Sequence, residues 1–146
     1  MPISVEIKPN EKLVVLSHEG SVHDDEFLSS YRALFDDPRY HISYNLLVDL
    51  RRAISSVRGK EALRDVAWLA SLQLANSEVV PKVAVVAPQD ISFGLARMYE
   101  AFSDSVPWEF KVFRSADAAL SWLGLDGDVV GNLDQDAQPL GSTDSD

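Results

Sequence analysis

The chain has 146 residues, a formal net charge of -10 and no Cys, which excludes disulfides and Cys-based zinc or redox chemistry. Six Asp residues and no Lys or Arg lie beyond Leu125, leaving four of the ten net negative charges to the body. Lys and Arg gather only at Arg51, Arg52, Arg58 and Lys60, and without a larger basic cluster nucleic acid is not an expected partner.

A globule of this length buries ~68–70% of its unfolded surface, enough for one domain with its own core. The opening MPISVEIKPNEK lacks the basic and apolar regions of a signal peptide, and no apolar run approaches the ~20 residues that cross a bilayer. The expectation is a cytoplasmic protein with no stable membrane anchor.

Taken in chain order, Ile3, Val5 and Ile7 alternate with Ser4, Glu6 and Lys8, the period of a strand with one buried face. Pro9-Asn10-Glu11 turns the chain into LVVLSHEG from Leu13, so the two runs form an antiparallel hairpin ending at Gly20. Ser21, three residues before Asp24, has the spacing of a helix cap, and Asp24, Asp25 and Glu26 suit the positive end of a helix. Phe27, Leu28, Tyr31, Leu34 and Phe35 form its apolar stripe. Asp37-Pro38 stops it.

Asn45 to Leu50, NLLVDL, is a second apolar strand, with Asp49 near its C-terminal end beside a loop holding Arg51, Arg52, Ser55, Ser56 and Arg58. A longer helix follows from about Gly59, with Leu63, Val66, Ala67, Ala70 and Leu74 inward. Trp68, Leu69 and Leu72 widen its apolar arc, leaving part of it to meet a tail, a ligand or a second subunit.

Val83 to Ala87 is unbroken apolar sequence closed by Pro88, which calls for cover on both faces and so for the middle of a parallel sheet. Gln89, Asp90 and Ser92 supply turn and cap chemistry for the next helix. Leu95, Met98, Tyr99 and Phe102 make its core stripe, while Arg97 and Glu100 share another face. Trp108, Phe110 and Val112 alternate in a less buried outer strand. Ser115 and Asp117 start a last helix with Ala116, Ala119, Leu120 and Leu123 inward until Gly124. The Trp122-Leu123 pair belongs to that core.

The order is a hairpin followed by αβαβαβα. Right-handed crossovers then give an α/β domain over residues 1–125 with a five-stranded mixed sheet, its first strand an antiparallel edge. Residues 126–146 are an acidic segment too poor in large apolar side chains to offset its ordering entropy, so a flexible tail is expected.

LLVDL at Leu46 to Leu50, the VAVVAP strand running into FGLARMYEAF, and the ending VFRSADAALSWLG together resemble the SpoIIAA-like family. Its relatives are the STAS domains of anti-sigma-factor antagonists and of anion-transporter tails. The resemblance covers about Met1 to Leu125. None of these motifs is catalytic, so the resemblance speaks for the fold more strongly than for an activity.

In the phosphorylation-switched relatives, the strand matching LLVDL leads to an Asp-Ser pair whose Ser accepts the phosphate at a helix start, where backbone N–H groups favour an anion. Ser55 and Ser56 stand near that place with no preceding Asp and with Arg51, Arg52 and Arg58 around them, so the phosphoacceptor role is not carried to either. Other relatives resemble CRAL-TRIO carriers of apolar molecules.

Open α/β sheets bind beyond the C-terminal ends of their parallel strands. On this chain that edge runs from Asp49 to Arg58 and from Pro88 to Ser92, with Arg97 a helical turn on. The residues expected to meet a partner or ligand are Asp49, Arg51, Ser55, Ser56, Arg58, Gln89, Asp90 and Arg97.

No catalytic or metal residue is assigned. Asp49 as a general base competes with the commoner strand-end carboxylate that caps a loop. Arg97 as an anion clamp competes with a solvated pair to Glu100. His18, His23 and Asp24 match no standard ligand spacing, His41 stands alone, and no nucleophile elbow frames a Ser-His-Asp set.

No cofactor is implied. The leading expectation is a non-catalytic module binding a protein partner, with a homodimer allowed. The alternatives are a carrier or sensor of an apolar or anionic small molecule, and an unrecognised hydrolase. An enclosed apolar cavity above about 300 Å³ marks the carrier, and an exposed apolar helix face marks the module.

Overall fold

The computed structural model describes residues 3–53 and 60–125. Nine elements follow one another: β1 (Ile3–Lys8), β2 (Leu13–Gly20), α1 (Asp24–Asp36), β3 (Asn45–Ala53), α2 (Lys60–Leu74), β4 (Lys82–Val86), α3 (Asp90–Phe102), β5 (Glu109–Phe113) and α4 (Ala116–Leu123). The strands form one sheet in the order β1-β2-β3-β4-β5. β1 is antiparallel to β2, and the other three pairings are parallel. This is the mixed α/β architecture expected from the order of elements.

Each parallel crossover steps one strand in the same direction, and a right-handed crossover reaches the next strand only over one face. α1, α2 and α3 accordingly share a face. Val14 and Leu16, Leu46 and Val48, and Val83 and Val85 pack there with Phe27, Tyr31, Leu34, Leu63, Val66, Ala70 and Tyr99. The alternate residues Leu13, Val15, Leu47, Ala84 and Val86 point the other way, against Ala116, Ala119, Leu120 and Leu123 of α4. No crossover follows β5, so α4 is free to cover that second face.

Central register is Val15↔Leu47 and Leu47↔Ala84. At the N-terminal end of the parallel strands the Asn45 side chain accepts a hydrogen bond from Lys82 N at 2.8 Å, and Asn45 N donates to Lys12 O at 3.0 Å. One residue thereby ties three strands.

Ser115 caps α4, its Oγ accepting from Ala118 N at 3.2 Å, and Gly124 ends the helix at φ 76, where glycine alone escapes the steric cost of a side chain.

Four expectations are corrected. The cap of α1 is His23, whose N donates to Glu26 Oε1 at 3.0 Å, so the reciprocal half of a capping box sits two residues later than Ser21. Arg51 and Arg52 belong to β3 rather than to a loop, because β2 continues to Gly20 and pairs Glu19 with Arg52 across a register shift. Val5 is 38% exposed, on an edge strand whose inward face is only partly covered. Met98 is 36% exposed and drops out of the expected α3 stripe, whose Tyr99 is buried and is joined on the inward side by Ser92 and Ala96. The expected tail, 126–146, and Ser55, Ser56 and Arg58 lie outside the described residues.

Candidate functional site

The three-helix face is incompletely filled near the C-terminal ends of its parallel strands. Val48, Leu50 and Ala53 of β3, Val85 of β4, Phe110 of β5 and His18 of β2 form the floor of a pocket. Phe27 and Tyr31 of α1, Leu63 of α2, and Ser92, Leu95, Ala96 and Tyr99 of α3 form its walls. Its cavity volume is ≈ 60 Å³, and it opens to solvent at its mouth. The small side chains of Ser92 and Ala96 leave the space. Longer ones at two inward positions of α3 would fill it.

Among the described residues no Lys, Arg, Asp or Glu lines this pocket. Its polar groups are His18, Tyr31, Ser92 and Tyr99, set among aromatic rings in edge-to-face contact. Phe27 meets Tyr31 at 5.4 Å and Tyr99 at 6.3 Å between centroids, and Tyr99 meets Phe110 at 5.2 Å. Tyr99 is only 6% exposed, and its hydroxyl oxygen is buried without a hydrogen-bond partner.

Such a group carries a desolvation cost of about 1–3 kcal/mol until something pairs with it. Burial pushes the Tyr31 and Tyr99 phenols above their ordinary range, and Tyr31 adds to the rise at Tyr99. Both hydroxyls therefore keep their protons near neutral pH.

The residues expected from sequence are placed differently from one another. Asp49 is buried, with Oδ1 accepting from Arg51 N and Nε at 3.0 Å each and Oδ2 from Arg51 Nη2 at 3.1 Å. Asp49 alternates in phase with Leu47, which puts its side chain on the α4 side of the sheet. Gln89 precedes α3 without a side-chain cap bond. Asp90 is exposed and accepts from Arg114 Nη1 at 2.8 Å, and that guanidinium also lies 4.2 Å from the Phe93 ring centroid. Arg97 pairs with Glu100 at 3.0 Å on the outer surface. Of these five, none lines the pocket.

His18, Tyr31, Ser92 and Tyr99 carry the pocket's polar chemistry, and of these only Ser92 falls on the binding edge expected from the sequence. The phase of Ser92, Ala96 and Tyr99 at i, i+4 and i+7 was the available signal. His18 continues the alternation of Val14 and Leu16 on the same face.

A second surface is the outward stripe of α2. Glu61, Asp65, Trp68 and Leu72 recur at i, i+4, i+7 and i+11, which places them along one side of the helix. Trp68 is 66% and Leu72 52% exposed, and Val79 and Val80 continue the exposed apolar surface past the helix end. Inward positions Leu63, Val66, Ala67, Ala70 and Leu74 are buried as the periodicity requires. Among the described residues no three His, Asp or Glu converge to hold a metal ion. No helix among them is long and apolar enough to cross a membrane.

No protein-family model matches the chain, and no curated protein matches it. Among solved structures the chain is similar to an uncharacterised protein of the DUF3478 family from Shewanella loihica PV-4, described as having a SpoIIAA-like fold. The two are 21% identical over 83% of this chain and 91% of the other, with a TM-score of 0.48.

Proposed function

We propose that the domain is a non-catalytic regulatory module that binds a protein partner through the outward stripe of α2. The observation that carries this reading is Trp68, two-thirds exposed one helical turn from the half-exposed Leu72. Large side chains left in water at adjacent positions forgo about 1.5–3 kcal/mol of burial each, and a contiguous patch of this kind marks a contact surface.

Glu61 and Asp65 extend the same stripe toward the N-terminus of α2, so the complementary surface is apolar at one end and basic at the other. A cavity of ≈ 60 Å³ is too small for a carrier of large apolar cargo.

A photo-crosslinking residue at Leu72, with Ser29 on the exposed side of α1 as control, tests this. A discrete adduct at 72, absent at 29 and lost when Glu61 and Asp65 are both changed to Lys, supports the reading. Adducts that ignore charge reversal, or a product consisting of the chain linked to a second copy of itself, overturn it.

A further inference from the structure

The exposed apolar surface of α2 ends beside the place where the chain leaves its last helix. We propose that the segment Val129 to Leu133 docks within its own chain on the apolar shoulder formed by Leu72, Val79 and Val80. Those three side chains are 52%, 50% and 55% exposed. α2 runs toward the N-terminal edge of the parallel strands, and Val79 and Val80 lie in its connection to Lys82, the first residue of β4. α4 ends at the same edge, because Lys82 Nζ donates to Trp122 O at 3.3 Å and lies 5.2 Å from the Trp122 ring centroid. Leu125, three residues on, packs against the α4 cluster. The chain therefore departs from the edge at which the two valines are exposed.

Residues 126–146 follow, and their large apolar side chains come early, at Val129, Val130 and Leu133. Eight extended residues span at most ~26–29 Å, whereas Leu72 is only about 3 Å along the helix axis from the end of α2 at Leu74. A segment on so short a tether meets its site at about millimolar effective concentration, so even modest apolar burial keeps it docked. Charge fixes where it stops. Asp126 and Asp128 leave past the Lys82 ammonium, an opposite charge at the exit. Asp134 and Asp136, on the far side of Leu133, are repelled by Asp65 and Glu61, which confines the contact to the valine end of the stripe.

The docked segment matches the apolar half of a surface whose other half is acidic. On the reading proposed above, a partner that also carries the basic complement outcompetes it at Leu72, so docking in cis shields the apolar half until such a partner arrives. The chain has no Cys, and Val79→Cys with Val130→Cys therefore introduces a single reactive pair into the full chain. Expected on oxidation is an intrachain disulfide, located by peptide mass mapping, that forms at a rate independent of protein concentration. Adding Val129→Ser and Leu133→Ser keeps the length and charge of the tether and should slow closure about tenfold, the part of the rate that docking rather than tethering supplies.

In the otherwise native chain, Leu133→Ser alone should shift the NMR methyl signals of Leu72, Val79 and Val80 and leave those of Leu47 and Leu120 in place. Equal closure rates with and without the serine changes mean proximity on a tether and nothing more, and overturn the inference. So does closure that accelerates with protein concentration, the mark of a second copy on the shoulder, or methyl signals that ignore Leu133→Ser. The isolated chain is used throughout, so failure here leaves the partner reading standing, and an absent adduct at Leu72 leaves the docked segment standing.

Discussion

The two faces of the sheet are built from alternate residues of the same strands, yet they end in opposite states. On the α4 side, small and branched side chains (Ala84, Val86, Leu47, Ala116, Ala119, Leu120) close against one another. The polar groups at its border are paired, Asp49 with Arg51 through a two-pronged contact. On the three-helix side, large rings meet at angles around a hole, and the hydroxyl of Tyr99 and the indole N–H of Trp108 are buried without hydrogen-bond partners among the described residues. A core that leaves polar atoms unpaired beside a void is less stable than one that does not. The α4 face is therefore the better packed of the two, and the pocket lies on the other.

Substitutions of similar burial should divide along that line. Leu47 is fully buried at the centre of the α4 side, and Leu47→Ala should cost about 2–5 kcal/mol in urea unfolding. Tyr99→Phe, equally deep on the other side, should cost nothing and leave the midpoint unchanged or raised, because the atom removed has no partner to lose. Equal losses in the two variants would erase the distinction. Next in size is Asp49→Ala, which removes the carboxylate that holds a guanidinium one-fifth exposed and should cost about 1.5–3 kcal/mol. The double variant Asp49→Ala, Arg51→Met should recover part of that loss. A deficit in the double variant as large as the sum of both single changes would show the pair to be energetically idle.

Much of this contrast is legible in the sequence and part of it is not. Unbroken apolar runs at Leu46 to Val48 and Val83 to Ala87 require cover on both sides, and the strand–helix alternation fixes which neighbour each strand has. Ser115 and Gly124 carry the ends of α4 in residues whose chemistry is local. Where the outcome depends on residues far apart in the chain, local pattern misleads. The end of the apolar run at Leu50 reads as the end of β3, yet the strand continues through Arg51 and Arg52 because β2 still runs beside it, with Glu19 in register to receive Arg52. In α3 the larger side chains at 95, 98 and 102 outweigh Ser92 and Ala96 in any hydrophobic tally. The helix nevertheless turns its small residues inward, and a void is the consequence. Its volume is what remains after side chains from seven elements are placed, and no stretch of sequence contains that difference.

The smallest effect is confined to alkaline solution and belongs to one face. All four tyrosines pack in or against the three-helix core, and none contributes to the α4 cluster. Burial pushes Tyr40 up to about 12 and holds Tyr31 and Tyr99 higher still. In the unfolded chain these phenols ionise near their ordinary value of 10.0. A raised folded-state pKa means that the folded protein keeps protons which the unfolded chain releases, so stability is intact below pH 10 and declines as pH rises toward 12. Urea midpoints measured from about pH 8 to about pH 11 should be flat at first and then fall. Tyr40→Phe and Tyr99→Phe should each make the fall shallower, whereas Leu47→Ala should lower the whole curve without changing its shape. A curve whose alkaline limb is the same in all three variants would mean that the phenols do not carry it, and the proposed difference between the faces would lose its electrostatic half.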